Sequence, residues 1–296
     1  MNVSQYEAFV KTVEEGSLTR AAEKLGYTQS GVTHMLDALE SQFGVKLLYR
    51  NHSGVRLTSD GKILLPHIQA VLYQQYALDE RVREIKGLSA GLIRIGTFTS
   101  VSSHWLPGMI RLFQEKYPEI DFELLHGTND ENEEWVRTGR VDLAFVRIPQ
   151  AAELQGVDLF TDPIVAIVAE NSPYAKRKKF PLKMLKDLPY IELSEGVDDE
   201  ITEILKRNDI KTRTRFVERD DYAVIAMVEQ GLGVSIMPGL VLRGTERHIR
   251  KLPLDPPGSR ELGIAFKSRD MLSNAARAFI RCAETWIREN RDGEKA

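Results

Sequence analysis

The stretch SLTRAAEKLGYTQSGVTHML, residues 17–36, holds two short apolar-patterned segments separated by a Gly-Tyr-Thr break. Ser17 can cap a helix over the first segment, and Gly26 follows that segment where a left-handed C-cap would end it. Thr28 can cap the next helix. The inward residues of that helix are predicted to be Val32, Met35, Leu36, Leu39 and Phe43. An apolar repeat over residues 3–13 predicts a further helix before Gly16, so the chain opens with three helices.

The outward face of the third predicted helix starts with short hydrogen-bonding groups, whereas a solvated face usually carries long charged side chains. Such groups on the first turns of the second helix of a hairpin suit base edges and phosphates in a DNA major groove. The candidate DNA-binding residues on this face are Gln29, Ser30, Thr33 and His34. A merely structural helical hairpin is the alternative on spacing alone, because such patterns have many false positives.

Two alternating runs, VKLLYR and VRLT, follow the third helix and are joined by NHSG, which predicts a hairpin wing. We expect Lys46, Arg50 and Arg56 to lie along the DNA backbone, and we include Arg20 among the DNA-binding candidates. Residues 1–60 hold six basic and seven acidic residues, so the charge of this part does not predict DNA binding. DNA binding must then depend on where the basic residues lie, because only those near the groove neutralise phosphates.

Residues 1–87 resemble the amino-terminal part of LysR-type transcriptional regulators. They carry FVKTVEEGSLTRAAEKLGYTQSGVTHMLDALESQFGVKLLYR and VRLTSDG in the family's order and spacing. This long and specific resemblance implies an all-α winged helix-turn-helix domain at residues 1–58 that binds double-stranded DNA. Gly31 stands where the family often has proline or alanine, Thr33 where serine is usual, and His34 where glutamine or arginine is common; LLYR replaces LFxR. These departures predict a retuned operator, and Gly31 predicts a flexible start to the reading helix.

Residues 59–86 are polar yet periodic, and their apolar positions alternate by four and three residues as in a heptad seam that needs a partner helix. The seam positions are Leu64, Ile68, Val71, Gln75, Leu78, Val82 and Ile85. Gln75 is the position expected to set the register. A lone helix packed on its own chain is the alternative. The resemblance implies a linker helix at residues 59–87 that pairs antiparallel across a dimer, and the family usually forms tetramers.

Pro66 is expected to cost the linker helix one hydrogen bond and to bend it near its start. Gly87, Ser89 and Gly91 predict a short hinge after the helix. From residue 92 onward, apolar strands alternate with amphipathic helices, which indicates an α/β domain with a mostly parallel sheet.

The resemblance continues over residues 92–290, where IRIG, LPGMIRLFQEKYP, VDLAF and MVEQGLGVSIMP match the family's effector domain. It implies a two-lobed fold similar to periplasmic binding proteins, in which the chain passes twice between lobes. We place these passages near residues 161–163 and 266–268. One lobe then holds residues 92–160 and 268–290, and the other holds residues 163–265.

Ligands in open α/β sheets bind beyond the carboxyl ends of the strands, against helix amino ends. TFTSVSSHW follows the first strand of the domain and offers Ser100, Ser102 and Ser103 together with backbone N–H groups that can hold an anion. The alternative role for these serines is ordinary helix capping. Thr128 follows the second strand, and Ser194 is the candidate from the opposite lobe.

Arg147 interrupts an apolar strand where a ligand's carboxylate can be held by two hydrogen bonds. An interlobe salt bridge is its alternative role. Arg147 and the serine cluster together predict a small anionic metabolite as the effector.

Composition argues against disulfide-linked, membrane, metal-binding and cofactor-binding proteins. The chain has 296 residues, a net charge of -3 and a single cysteine, Cys282, which excludes an internal disulfide framework and suits a reducing cytosol. No apolar run reaches membrane-spanning length, so we expect a cytoplasmic location and no membrane partner. The six histidines share no short metal spacing, and GLG at residues 231–233 is only a fragment of a dinucleotide fingerprint. We expect no cofactor.

An enzyme is the rival class, because SSH at residues 102–104 places two serines beside a histidine. Adjacent residues rarely form a nucleophile and its base, and no Gly-x-Ser-x-Gly turn occurs, so we predict that the protein is not an enzyme. A small-molecule binding protein whose amino terminus only dimerises it is a further rival. The partners that we predict are double-stranded DNA, a small-molecule effector and further copies of the chain; RNA polymerase is an additional candidate.

Overall fold

The computed structural model describes residues 2–51, 54–85, 91–194 and 200–290, and the description that follows concerns those residues. The chain starts with three helices and a two-stranded antiparallel hairpin. These elements are α1 (Val3–Glu15), α2 (Leu18–Leu25), α3 (Gln29–Phe43), β1 (Leu48–Asn51) and β2 (Gly54–Leu57). The predicted three helices and wing are confirmed.

Local capping explains where the first helices begin and end. The Ser17 hydroxyl accepts a hydrogen bond from the backbone of Arg20, and Gly16 and Gly26 adopt the left-handed conformation that ends α1 and α2. The inward faces of the helices pack into one core. Its fully buried members include Phe9, Val32, Leu36 and Leu39. Residues 17–36 therefore pack with α1 around one core.

Helix α4 (Ser59–Ile85) runs through Pro66 without interruption. Ile68 and Leu72 are buried in the core that α1 to α3 form, and Leu64 packs against the same core. The prediction that the whole seam needs a partner helix was therefore wrong for its first positions, because α1 already covers them. Val71, Leu78 and Val82, farther along the helix, are exposed.

Side chains of α4 also contact both neighbouring parts of the chain. The Tyr76 hydroxyl donates a hydrogen bond to Glu7 of α1 over 3.3 Å, and the guanidinium of Arg94 lies 5.1 Å from the centre of the Tyr76 ring. The Gln75 amide donates to Asp79 on its own helix. Of the predicted hinge, Gly87 and Ser89 lie outside the described residues.

The remaining chain alternates strands and helices. Its elements are β3 (Gly91–Thr97), α5 (Thr99–His104), α6 (Leu106–Gln114), β4 (Ile120–His126), α7 (Asn129–Thr138), β5 (Leu143–Ile148), β6 (Gln155–Ala169), β7 (Phe180–Pro181), β8 (Pro189–Leu193), α8 (Glu200–Arg207), β9 (Arg213–Glu218), α9 (Asp221–Glu229), β10 (Ser235–Pro238), β11 (Ile249–Phe266) and α10 (Asn274–Asn290). Two 3₁₀ turns, Leu182–Lys186 and Gly239–Leu242, complete it. Within the described ranges, no helix is long and apolar enough to span a membrane.

The main sheet has the order β10-β6-β11-β5-β3-β4. Strand β3 pairs parallel with β4 and β5, and β8 pairs parallel with β9. The expectation of a mostly parallel sheet fails at the centre, where β11 pairs antiparallel with both β5 and β6. The physical reason is that β6 and β11 are the two strands that pass between the lobes, and they do so in opposite directions.

Separate cores define the two lobes. Leu159 of β6 packs in the first core with Trp105, whereas Ile164 packs in the second core with Tyr190, so β6 changes lobe between them. That interval contains the predicted residues 161–163.

Strand β11 returns earlier than expected. Leu254 lies in the second core and Leu262 in the first, so the return passage falls between them and not at residues 266–268. The prolines of residues 253–257 hid the first half of β11 in the sequence, because proline is unusual inside a paired strand.

Candidate functional site

The first turns of α3 present a polar face to solvent. Thr28 caps the helix by accepting a hydrogen bond from the backbone N–H of Gly31 at 3.1 Å. This cap sets the direction in which the helix leaves the turn. Gln29, Ser30 and His34 are exposed, as predicted from their positions, and Thr33 is half-buried.

Short hydrogen bonds order this face. The Thr33 hydroxyl donates to the backbone carbonyl of Gln29 over 2.9 Å, and the Thr19 hydroxyl of α2 lies 3.4 Å from the Gln29 side-chain oxygen. Ser30 shares a hydrogen bond of 3.1 Å with Thr28. Three of the four candidates are thereby ordered on one surface, to which α2 contributes the Thr19 hydroxyl.

The basic candidates near α3 are partly committed to acids of the same domain. Arg50 pairs with Asp37 at 2.8 Å and with Glu40 at 3.2 Å, and Lys46 pairs with Glu40 at 2.7 Å. The positions of Lys46 and Arg50 beside α3 suit phosphate contacts, but their charges are partly balanced before any DNA arrives. Sequence spacing did not reveal this pairing.

Glu40 is the centre of this arrangement. It is buried, and one of its oxygens accepts hydrogen bonds from the backbone N–H groups of Leu47 and Leu48 at 2.8 and 3.1 Å. Burial raises the pKa of Glu40, but the bonds from Lys46 and from both amides, with the charge of Arg50, outweigh burial and hold it below its ordinary value. The ionised carboxylate therefore ties α3 to the start of the wing.

The wing carries a further exposed pair. Tyr49 of β1 lies directly opposite Arg56 of β2, and both side chains are exposed on the same face of the hairpin. Arg56 was predicted from the sequence and Tyr49 was not, although the alternation of Tyr49 with buried Leu48 indicates an exposed side chain. Arg20, the last basic candidate, is exposed at the start of α2 and lies 3.7 Å from Glu15.

The predicted serine cluster lies on α5, directly after β3. Ser100 is buried and its hydroxyl accepts a hydrogen bond from Arg260 at 3.0 Å. Ser102 donates to the Thr97 hydroxyl over 3.2 Å, and Ser103 is exposed, 3.5 Å from the hydroxyl of Tyr222 on α9. Because α9 belongs to the other lobe, α5 and α9 face each other across the crevice.

Two other effector candidates lie at the starts of helix α7 and of the segment after β8. Thr128 and Glu131 form a reciprocal capping box at the start of α7, so the Thr128 hydroxyl is used as a helix cap. Ser194 follows β8, and its backbone N–H donates to Glu218 over 2.8 Å. Among the described residues, no hydrogen bond joins either side chain to Arg260, Glu200 or Asp162.

Arg147 forms the interlobe salt bridge that was its alternative role. Its Nη1 lies 3.1 Å from an oxygen of Glu200, the first residue of α8, and its backbone N–H donates to Asn129 over 2.7 Å. Arg147 is held in the first lobe and Glu200 belongs to the second. The bond therefore joins the lobes at the crevice where the sequence placed the ligand.

Arg260, on the returning strand β11, was not predicted and is the centre of the crevice. It is buried, and it donates to Asp162, Glu200 and Ser100, each at 3.0 Å. We call Ser100, Arg147, Asp162, Glu200 and Arg260 the interlobe cluster. Its members come from both passages and both lobes, so any change in lobe disposition must alter it.

Two acidic groups in the crevice are strongly influenced by burial. Burial raises the pKa of Asp162, against the lowering effects of Arg260 and of the backbone N–H of Leu240. Burial also raises the pKa of Asp221 at the start of α9, against the Thr99 hydroxyl and Arg260. The Oδ1 atom of Asp221 is buried and has no hydrogen-bond partner among the described residues.

Both parts of the chain match known protein families. Residues 3–62 match the family described as bacterial regulatory helix-turn-helix protein, lysR family, and residues 86–288 match the LysR substrate binding domain. The HTH-type transcriptional regulator YvbU of Bacillus subtilis (strain 168), itself described as uncharacterized, is 31% identical over 287 residues. That alignment covers 96% of this chain and 98% of YvbU.

Solved structures share the fold. The crystal structure of full-length CbnR complexed with its target DNA has a TM-score of 0.71 and 22% identity, covering 97% of this chain and 100% of CbnR. The effector binding domain of QuiR in complex with shikimate has a TM-score of 0.61 and 22% identity, covering 68% of this chain and 98% of that domain.

A winged helix-turn-helix followed by a two-lobed α/β domain defines a class of DNA-binding transcriptional regulators with an effector-binding domain. The chain belongs to the LysR family of these regulators. It is a transcriptional regulator and not an enzyme.

Proposed function

We propose that this regulator binds promoter DNA sequence-specifically and that a small anionic metabolite in the interlobe crevice changes that binding. The observation that carries the DNA-binding part is the exposed, hydrogen-bonded polar face on the first turns of α3. Gln29, Thr33 and His34 are the side chains that we expect to contact base edges, with Ser30 contacting bases or phosphates. Arg56, Lys46, Arg50 and Arg20 are the phosphate-binding candidates.

The proposal includes a dimer whose linker helices pair along the exposed apolar positions of α4. Val71, Leu78 and Val82 are 49%, 57% and 40% exposed, and they repeat at the spacing of one helix face. A two-fold dimer predicts a partly palindromic operator with half-sites about one helical turn, roughly 34 Å, or a multiple apart. A dimer of dimers and contact with RNA polymerase belong to the same proposal, as do the domain bounds 1–58, 59–87 and 92–290.

The anionic character of the effector rests on the two guanidinium groups and the buried Ser100 hydroxyl that converge in the crevice. QuiR, whose effector domain is in complex with shikimate, shares this fold, and a carboxylate ligand is consistent with the proposal. A ligand can shift the arrangement of the paired DNA-binding domains only if it binds one arrangement better than another.

The test is selection of bound fragments from the native genome, followed by footprinting of recovered sites at several salt concentrations. We expect a defined, partly palindromic footprint that persists at moderate salt and that a pool of acidic metabolites alters. Weak binding that disappears with salt and shows no preferred sequence would contradict sequence-specific recognition. A sharp footprint that no acidic pool alters, while a pool of basic or neutral metabolites does, would contradict only the anionic effector.

A further inference from the structure

The interlobe cluster contains a carboxylate held in the way that a ligand's carboxylate would be held. One oxygen of Glu200 lies 3.1 Å from Nη1 of Arg147, and the other lies 3.0 Å from Nη1 of Arg260. A single carboxylate thus bridges two guanidinium groups. Because charge-assisted bonds of this kind are strong and directional, the geometry defines a carboxylate-binding position.

This position is already filled by the protein. Glu200 is buried, with 5% of its surface exposed, and it stands at the first residue of α8 in the second lobe. Arg147 belongs to the first lobe, and Arg260 lies on the strand that returns between lobes. The Glu200 carboxylate therefore holds the lobes together through the residues that the proposed effector needs.

The charges in the crevice decide how an anion enters. Among the described residues, three buried carboxylates, those of Asp162, Glu200 and Asp221, lie near the guanidinium group of Arg260, and Glu200 also pairs with Arg147. An anion added to this set brings a fourth negative group into a space shielded from water, where like charges repel strongly. An anion that replaces the Glu200 carboxylate leaves the buried charge unchanged. Replacement is therefore the favourable route.

We infer that the Glu200 side chain is a built-in competitor of the effector, and that the effector's carboxylate binds between Arg147 and Arg260 by displacing it. This inference rests on the proposed function, since it assigns the anion-binding position and the regulation of the same crevice. Displacement breaks the bond between Glu200 of α8 and Arg147, so ligand entry changes a bond between the lobes.

The same exchange narrows the class of effector. A ligand that offers only a carboxylate exchanges one carboxylate for another, so it gains little binding free energy at this position. Affinity must come from the rest of the molecule, and the facing hydroxyls of Ser103 and Tyr222 supply polar partners on both sides of the crevice. The effector class is therefore a carboxylate with at least one further hydrogen-bonding group.

The decisive variant is Glu200→Gln, which keeps the shape of the side chain and removes its charge. The full-length protein is titrated calorimetrically with acetate, benzoate and succinate at constant ionic strength. We expect at least one of these probes to bind Glu200→Gln ten-fold or more tightly than the natural chain. Glu203→Gln is the matched control, because it removes the same charge from an exposed position one turn along α8. It should bind like the natural chain.

Two further variants make the test specific. Glu200→Asp keeps the charge but is too short to reach both guanidinium groups, so its affinity for the probes should rise by an intermediate amount. This variant replaces Glu200→Gln in the test if Glu200→Gln does not fold. Adding Arg147→Ala to Glu200→Gln should remove most of the increase in affinity, since that increase depends on the paired guanidinium groups. Tryptophan fluorescence on heating checks the fold of the effector domain, where all three tryptophans lie.

Three outcomes separate this inference from the proposed function. Equal affinity of a carboxylate for the natural chain, Glu200→Gln and Glu203→Gln would overturn displacement and leave an anionic effector intact. No binding of any probe to a folded Glu200→Gln would overturn displacement, whereas the anionic effector is judged separately by the footprint with acidic metabolites. If Glu203→Gln raised the affinity for the probes as much as Glu200→Gln, the cause would be a general charge effect, which would also overturn displacement. Sequence-specific DNA binding is measured separately and does not depend on these results.

Discussion

One carboxylate oxygen of Glu40 accepts a hydrogen bond from the backbone N–H of Leu47 at 2.8 Å. Glu40 lies on the buried side of the reading helix, and Leu47 directly precedes the first strand of the wing. The same carboxylate pairs with Lys46 and Arg50, two of the predicted phosphate-binding residues. Glu40 therefore connects the reading helix both to the start of the wing and to two of its basic residues.

Replacing Glu40 with alanine should destabilise the DNA-binding domain, because the buried N–H groups of Leu47 and Leu48 lose their acceptor. Each unsatisfied donor costs about 1–3 kcal/mol. Thermal unfolding followed by far-ultraviolet circular dichroism should show an earlier first transition. Tryptophan fluorescence should not change, since the tryptophans lie at residues 105, 135 and 286. Glu23→Ala, at an exposed site on α2, is the control; an equal loss there would contradict a specific role for Glu40.

The stabilisation by Glu40 should also depend on pH. Its pKa in the folded protein is below the ordinary value, so the ionised form stabilises the fold above the unfolded pKa of about 4.3. That contribution is lost as the pH falls through the lower folded value. The difference in unfolding midpoint between the natural chain and Glu40→Gln should therefore shrink on acidification from neutral pH. Melting curves across that range test this, and a constant difference would refute it.

Substitutions on α3 and on the wing should affect DNA binding differently. Gln29→Ala should relax specificity at one base pair, at a cost of about 1–3 kcal/mol for the preferred operator. Arg56→Ala should weaken binding to all DNA sequences alike. It should also reduce the slope of log affinity against log salt concentration by about 1. Fluorescence anisotropy with single-base-pair operator variants at several salt concentrations measures both effects. Lys178→Ala, in the exposed basic run of the effector domain, should leave the slope unchanged.

The linker helix offers a prediction about oligomers. Glutamate in place of Leu78 puts a charge into the proposed helix pairing and should shift the protein toward monomers in sedimentation velocity, with weaker binding to a two-half-site operator. Ile63→Glu is the matched control, since Ile63 is 66% exposed on α4 but lies one residue off the repeat that contains Leu78. Dimers that persist in Leu78→Glu, or that are lost equally in both variants, would argue against pairing along this face.

Features that depend on neighbouring residues were predictable from the sequence. Thr28 and Gly31 are three residues apart, and Ser17 and Arg20 likewise, so these caps follow from local spacing. The exposed face of α3 followed from helical periodicity. Arg147 stood out because a charged residue interrupts an apolar strand.

The centre of the crevice was not predictable in the same way. Arg260 contacts Ser100, which lies 160 positions earlier, and Asp162, which lies 98 positions earlier. No local pattern encodes such a meeting, which the antiparallel pairing of β6 and β11 produces. The proline-rich first half of β11 also concealed the strand that carries Arg260. Thr128 differs from Arg260, because its capping partner Glu131 is only three residues away and its role as a helix cap could have been predicted from the sequence.

Gly61, in the first turn of α4, gives the last prediction. A Cβ at this position would overlap the carbonyl oxygen of Leu47 and lie 3.1 Å from the Leu57 side chain, and backbone cannot yield as a flexible side chain does. Gly61→Ala should therefore destabilise the DNA-binding domain by about 1–3 kcal/mol, although alanine favours helices. Gly31→Ala is the control, because its Cβ would meet only the exposed Thr28 hydroxyl at 3.2 Å. Circular dichroism melts should show a much larger loss for Gly61→Ala, and equal losses would contradict the close approach of α4 to the wing.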